Sequence, residues 1–303
     1  MSARYVQKKA QTAVWARRLA LFFLQLLVLT ALLHHFASLN TPAAMNLLAV
    51  SLFGLVFAIL LAICTLIRIW FGGQLGASQA FAGIVVALLG LALPLWYLGQ
   101  FFMLPQLTDI ETTPRQPIDF KQLPATRPPG SNPIKEPDQT IAAMQEKAYP
   151  DIRPMELERS AREVFDMVSE AVKRLGWTVG LSEPPGVDGV GRIEATDRTL
   201  IMGFTDDVLV RVTGDDAHAL IDVRSVSRYG LHDLGANAKR IRTLFAEVKA
   251  GLEKGERTGL ETGTPAGPNK KQPKIKGRAK KLHVRPKIFP PAPDPHLQRL
   301  TPD

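Results

Sequence analysis

The chain has 303 residues, 46% of them apolar, and a formal net charge of +9. That charge sits at the two ends: residues 1–104 hold six basic and no acidic residues, residues 256–303 hold eleven basic and four acidic, and residues 105–255 carry about −4. Basic charge away from a folded face argues against a nucleic-acid partner, and the single cysteine, Cys64, excludes an intrachain disulfide framework or a cysteine-based metal site.

Three apolar stretches dominate the first third: 19-LALFFLQLLVLTALLHHFA-37, 47-LLAVSLFGLVFAILLAICTLI-67, and a third from Ala80 to about Met103. Each runs for about 20 residues without an ionisable Asp, Glu, Lys or Arg, the length that crosses roughly 30 Å of hydrocarbon. The first is too long for a signal peptide and has no small-x-small cleavage site after it. Three transmembrane helices are predicted, over residues 19–104, with residues 1–18 as a cytoplasmic N-terminus. Five basic residues precede the first span, none lies between the first and second, and Arg68 follows the second, which is the positive-inside pattern. Everything after Pro105 is then extracytoplasmic.

Within the spans, Gly54, Ala58 and Ala62, and again Gly83 and Ala87, form small-xxx-small faces. These suit helix packing within the bundle and offer a surface for association between copies. The adjacent His34 and His35 point about 100° apart on a helix, so they do not easily share one ion. Gln25, Thr30, Ser51 and Thr65 supply little polarity at mid-membrane, which argues against a transport pathway within one chain.

Residues 105–150 are proline-rich (TTPRQPID, LPATRPPGSNPIKEPD) and read as an extended, surface-hugging linker. Residues 256–303 read as a basic disordered tail. Between them, residues 151–255 carry the signals of a compact domain. Ser160 and Glu163 form a capping box. Ala161, Val164, Phe165, Val168, Ala171, Val172 and Leu175 mark one helical face, which Gly176 ends. Five short β-type runs follow: WTVGLSE, GRIEATD, TLIMGF, VLVRVT and ALIDVRSVS, with turn signals in PPGVDG, TDD and GDDAH. A final helix opens at Asp233 with Leu234, Ala238, Ile241, Phe245, Val248 and Leu252 on one stripe. The expected fold is α+β: three transmembrane helices, then a two-layer sandwich of an antiparallel sheet covered by two helices, its other face open to solvent or a partner.

The stretches YPDIRP, GRIEATDRTLIMGFTDDVLVRV and IDVRSVSRYGLHDLGANAKRIR resemble the bacterial membrane-associated family named domain of unknown function 1499 (DUF1499), over about residues 105–252. The resemblance implies a domain of the bacterial inner membrane and cell envelope. It transfers no activity, catalytic residue or cofactor. Strands closing on a long C-terminal helix are also similar to helix-grip lipoprotein modules, in fold alone.

Strand alternation puts Ile221, Val223 and Ser225 toward the helices. Arg192, Glu194, Arg211, Asp222 and Arg224 fall on the outer face, as cross-strand charge pairs or as an anion-binding surface. The strand–helix joint brings Ser227, Arg228, Asp233, Asn237 and Arg240 close together. Asp233 is a natural N-cap, whereas Asn237 is a mediocre residue inside a helix. Arginines at a helix N-terminus suit an anionic group, so Arg211, Arg224, Ser227, Arg228, Asp233, Asn237 and Arg240 are the candidate binding residues, with structural tethering as the competing role. Asp206-Asp207 and Asp215-Asp216 read as hairpin turns without calcium-loop spacing. A Ser227–His232 couple would still need an orienting acid and an oxyanion hole, and no phosphate loop is present. No catalytic constellation or cofactor signature emerges. Two functions follow from this: a membrane-anchored extracytoplasmic module that docks an envelope protein, or a binding protein for an anionic small molecule or lipid headgroup. A cavity between the sheet and the last helix would favour the second.

Overall fold

The computed structural model describes residues 8–37, 39–134 and 139–261. Helices α1 (Gln11–Phe36), α2 (Thr41–Gly72) and α3 (Ala77–Met103) coincide with the three apolar stretches. All three are long and apolar enough to cross a membrane. Their outward side chains, such as Phe53, Leu60 and Leu89, are exposed and apolar, whereas Ala16, Ala20, Ala58, Ala62, Ala80 and Ala87 are buried between the helices. The small-residue faces are thus spent on packing within one chain. A Cβ added at Gly83 would stand 3.0 Å from the Arg17 backbone nitrogen, so α1 and α3 approach closely only because that position has no side chain. The buried hydroxyls of Thr30, Ser51 and Thr65 each donate, at 2.7 Å, to the carbonyl four residues back in their own helix.

Beyond α3 the chain forms β1 (Asp109–Glu111), α4 (Leu123–Thr126), α5 (Gln139–Ala148), β2 (Met155–Leu157), α6 (Ala161–Arg174), β3 (Thr178–Glu183), β4 (Val190–Arg198), β5 (Thr205–Gly214), β6 (Ala219–Ser227) and α7 (Ala236–Glu261). Strands β3 to β6 form an antiparallel meander. Two short strands share the outer edge of β6: β2 opposite Ala219–Ile221 and β1 opposite Arg224–Val226. The architecture is α+β with α6 and α7 on one face of the sheet. Their core unites Val164, Phe165, Val168 and Val172 of α6, Ile193, Val208, Val210, Ile221 and Val223 of the sheet, and Ala238, Ile241, Leu244 and Val248 of α7. The α6 face is the one its apolar period predicts. Ser160 caps it by accepting from Glu163 N at 3.2 Å, and Gly176 (φ +72°) ends it in the left-handed region. On α7, Leu244 takes the buried place expected of Phe245, which packs at the rim.

Several expectations need correction. The run TLIMGF (199–204) is not a strand but the loop joining β4 to β5. Asp206 and Asp207 are not a turn; they are the buried start of β5. The stretch 105–150 is built into the domain rather than leading up to it, because it supplies β1, α4 and α5. Helix α7 also runs to Glu261, past the expected start of the tail, and the rest of that tail lies outside the described residues.

The proline-rich stretch also closes the sheet face that was expected to be open. Ile118 and Leu123 are buried over it, and the outward-facing Leu209 and Arg224 are themselves 0% and 1% exposed. Backbone pairing fixes this cover at one end: Thr112 N donates to Val223 O at 2.9 Å, and Val223 N donates to Thr112 Oγ1 at 3.0 Å. From α5, the Gln145 amide bonds both backbone groups of Glu111, accepting from its N–H at 3.1 Å and donating to its carbonyl at 2.6 Å. A side chain there does the work of a neighbouring strand.

Candidate functional site: the strand–helix joint

Alternation assigned the faces correctly, but the outer face of β5 and β6 is largely covered as well, and each side of the sheet holds its own ionic network. On the helix side, Arg240 is 6% exposed and its guanidinium is fully engaged. Nε donates to Asp197 Oδ2 at 2.7 Å and Nη2 to Asp206 Oδ2 at 2.8 Å. Nη1 donates to Ser225 Oγ at 2.9 Å and to Asn237 Oδ1 at 2.8 Å. Asn237 in turn donates through Nδ2 to Ser227 Oγ at 3.0 Å and to the Thr108 carbonyl at 3.1 Å. Asn237 therefore spends its side chain joining β6, α7 and the segment leaving α3, which answers why an indifferent helix former stands there. Asp233 accepts from Gly235 N at 2.9 Å and Asn237 N at 3.0 Å, capping α7. Leu234 and Gly235 between them both have positive φ, at 53° and 77°. Burial raises the Asp206 and Asp233 carboxyls above their ordinary range, although Arg240 opposes this at both. Burial likewise works against the charge of Arg240, but Asp206 and Asp197 outweigh it and its pKa is raised.

On the other side, Asp207 is fully buried between two arginines: Arg127 Nε donates at 2.6 Å, and Arg228 donates through Nε at 2.9 Å and Nη2 at 2.6 Å. Arg224 grips Asp109 with Nε at 3.1 Å and Nη2 at 2.7 Å, and donates from Nη1 to the Ile118 carbonyl at 2.9 Å. Arg211, about one-third exposed, pairs with Asp222, which also takes the Thr112 hydroxyl at 3.3 Å. Glu194, 0% exposed, accepts from three successive amides of the cover: Lys121 N, Gln122 N at 2.9 Å and Leu123 N at 2.8 Å. Glu111 is poorly compensated: Oε2 accepts from Ile118 N at 3.2 Å while Oε1 has no hydrogen-bond partner among the described residues. Burial pushes its carboxyl up to about 7, with Arg224 opposing.

The seven candidates therefore gather into two adjoining groups on opposite faces of β6. Ser227, Asp233, Asn237 and Arg240 meet around Asp206, while Arg211, Arg224 and Arg228 serve the cover. Ser227 and His232 do not form a couple. Ser227 bonds Asn237 and Asp206, whereas His232 Nδ1 accepts from Leu234 N at 2.9 Å and Nε2 donates to the Leu104 carbonyl at 3.2 Å. The residues that sequence reasoning missed are the acidic partners: Asp109 and Asp197, together with Asp206 and Asp207, the last two set aside as a turn. The signal available was their number, since each buried arginine of a folded domain needs a carboxylate.

The joint also faces the membrane helices. Phe101 of α3 packs against His232 with the rings tilted by 43° and their centroids 5.1 Å apart. On the α1 side, His34 Nδ1 donates to the Met202 carbonyl, and Arg198 Nη2 donates to the His34 carbonyl at 2.9 Å. The domain is thus bonded to the ends of two spans.

Residues 109–248 match the model of the family described as "Protein of unknown function (DUF1499)". This is a DUF1499 domain. The match opens at the first residue of β1, so the family unit includes the sheet cover and closes within α7. No curated protein matches the chain. What the DUF1499 domain offers chemically is charge pairing turned inward: Arg224 and Arg240 hold carboxylates while buried, Arg127 and Arg228 close on the buried Asp207, and the core between sheet and α7 is filled by apolar side chains.

Proposed function

We propose that the chain is a membrane-anchored interaction module whose DUF1499 domain stands outside the cytoplasm and docks an envelope protein partner. The observation that carries this reading is that the donors of the joint are consumed in tying α7 to the sheet. Arg240, Asn237 and Arg228 have given their donors to the protein itself, which supports tethering over capture of a free anion. A filled core between sheet and α7 likewise weighs against the small-molecule alternative. The side argument is electrostatic: Lys8, Lys9, Arg17, Arg18 and Arg68 gather at the ends of the spans opposite the domain.

The surface left to a partner is at the far end of the sheet. Strand β5 has ten residues and carries the chain roughly 33 Å from the joint. There β2 and the β5–β6 turn enclose an open groove of about 600 Å³ lined by Glu156, Glu158, Asp215, His218 and Leu220. The amides of Ala217 and His218 hold the Asp215 carboxyl below its usual range, and Glu156 and Glu158 join it to make an acidic rim. A partner presenting basic groups fits it. A photo-crosslinker at Glu156 in intact cells should capture a defined protein, and the same probe at exposed Lys249 on α7 should not. Equal capture at both positions would refute docking at the groove. A reporter active only in the cytoplasm, fused after residue 150, should stay silent, and activity there would overturn the topology.

A further inference from the structure

The loop between β4 and β5 has an exposed apolar tip that folding of the domain does not explain. Leu200 is 89% exposed and Ile201 43% exposed. The loop is nonetheless braced: Gly203 N donates to Thr199 O at 2.8 Å, Thr199 N to Phe204 O at 2.9 Å, and Phe204 N to Thr199 Oγ1 at 2.9 Å. Its base is bonded to α1 through His34 and Arg198, and the Phe204 ring lies 5.1 Å from the His34 ring. Gly203, at φ +71°, is where the loop passes α1; a Cβ there would lie 3.0 Å from His35 Cα. The apolar tip is therefore held in a fixed place.

That place is alongside a transmembrane helix. Leu200 and Ile201 share an apolar groove of about 240 Å³ with Val28, Leu32, His35 and Phe36. Val28 lies two turns before the end of α1, or roughly 12 Å along the helix axis. It belongs to the apolar stretch 19–37, so the groove reaches hydrocarbon depth. Val28, Leu32 and Phe36 form an exposed row on α1. In a bilayer whatever covers that row is acyl chain, and Leu200 and Ile201 stand at its edge.

The geometry points to a second membrane contact: the Leu200–Ile201 tip is a wedge inserted into the leaflet facing the domain, and its groove against α1 holds a phospholipid acyl chain. This rests on the membrane-anchored reading but adds a surface and its occupant. The bonds at Thr199, Gly203 and Phe204 and the His34 bond to Met202 satisfy backbone groups that hydrocarbon would leave unpaired. Anchored at α1, at α3 and by this wedge, the domain has its tilt on the bilayer fixed.

The test uses the full chain with Cys64→Ala, reconstituted into phosphatidylcholine–phosphatidylglycerol vesicles, with an environment-sensitive fluorophore on Leu200→Cys. Val187→Cys is the comparison, an exposed site on the β3–β4 turn at the opposite end of nine-residue β4, roughly 30 Å away. The wedge requires blue-shifted emission at position 200, quenching by an acyl-chain nitroxide several-fold stronger than at position 187, and protection from aqueous iodide. Iodide quenching equal to that at 187 would overturn it. Blue-shifted emission that the acyl nitroxide leaves unquenched would overturn it as well, since the tip would then be covered by protein. The depth result is independent of the reporter fusion: if the domain lay on the cytoplasmic side, the fusion would fail and the wedge would still be quenched.

Discussion

Removing the Arg240 guanidinium is the sharpest test of the joint. Arg240→Met keeps most of the side-chain volume and deletes four hydrogen bonds, two of them to carboxylates. Asp206, only 4% exposed, then keeps a buried charge with no cation beside it. Breaking a buried pair from one side costs about 3–5 kcal/mol, a large part of the roughly 5–15 kcal/mol that holds a domain folded. Urea unfolding of the full chain in detergent, with hydrogen exchange read at β5 and β6, should report a loss in that range. Asp206→Asn added to Arg240→Met should recover part of it, because the uncompensated charge is gone. Arg240→Lys should fall between parent and Met, since an ammonium cannot reach four acceptors spread around a planar fork. A loss below about 1 kcal/mol for Arg240→Met would refute the tether. It would mean that the guanidinium is available to something outside the fold.

Glu111 gives a pH signature. Its folded pKa is raised from 4.5 to about 7, so the fold prefers the protonated form; its stabilising contribution is full below the unfolded value near 4.5 and is lost as pH rises through about 7. Glu111→Gln should therefore be more stable than the parent at pH 8 by about 3 kcal/mol, at roughly 1.4 kcal/mol per pH unit, and the gap should close by pH 5; urea midpoints across that range check it. Phe165→Ala should cost about 3–5 kcal/mol, because the ring is 4% exposed and lies over Gly191, where a Cβ would be 2.6 Å from its Cδ2. Asn237→Ala leaves Ser225, Ser227 and the Thr108 carbonyl short of a partner and should cost about 1–3 kcal/mol, readable as faster exchange at the start of α7.

Local pattern determined much of this protein. The three spans follow from uninterrupted apolar runs, the α6 face from its helical period, and the inward residues of β4 to β6 from alternation. Asp233 is legible as a cap because the need it meets is local: two amides within four residues. Only the tertiary structure decided what lies over the sheet. Arg224 and Asp109 are 115 residues apart, and Glu194 accepts from amides 71–73 residues away. A proline-rich stretch with no period gives no hint that it will supply β1 and a lid, because its partners are set by β6 and not by its neighbours. The run TLIMGF shows the same limit from the other direction. Its apolar residues have the composition of a strand, but Leu200 and Ile201 lie beside α1, more than 160 residues earlier in the chain. Composition records that a residue avoids water, and only the folded chain decides whether sheet, helix or bilayer provides the shelter.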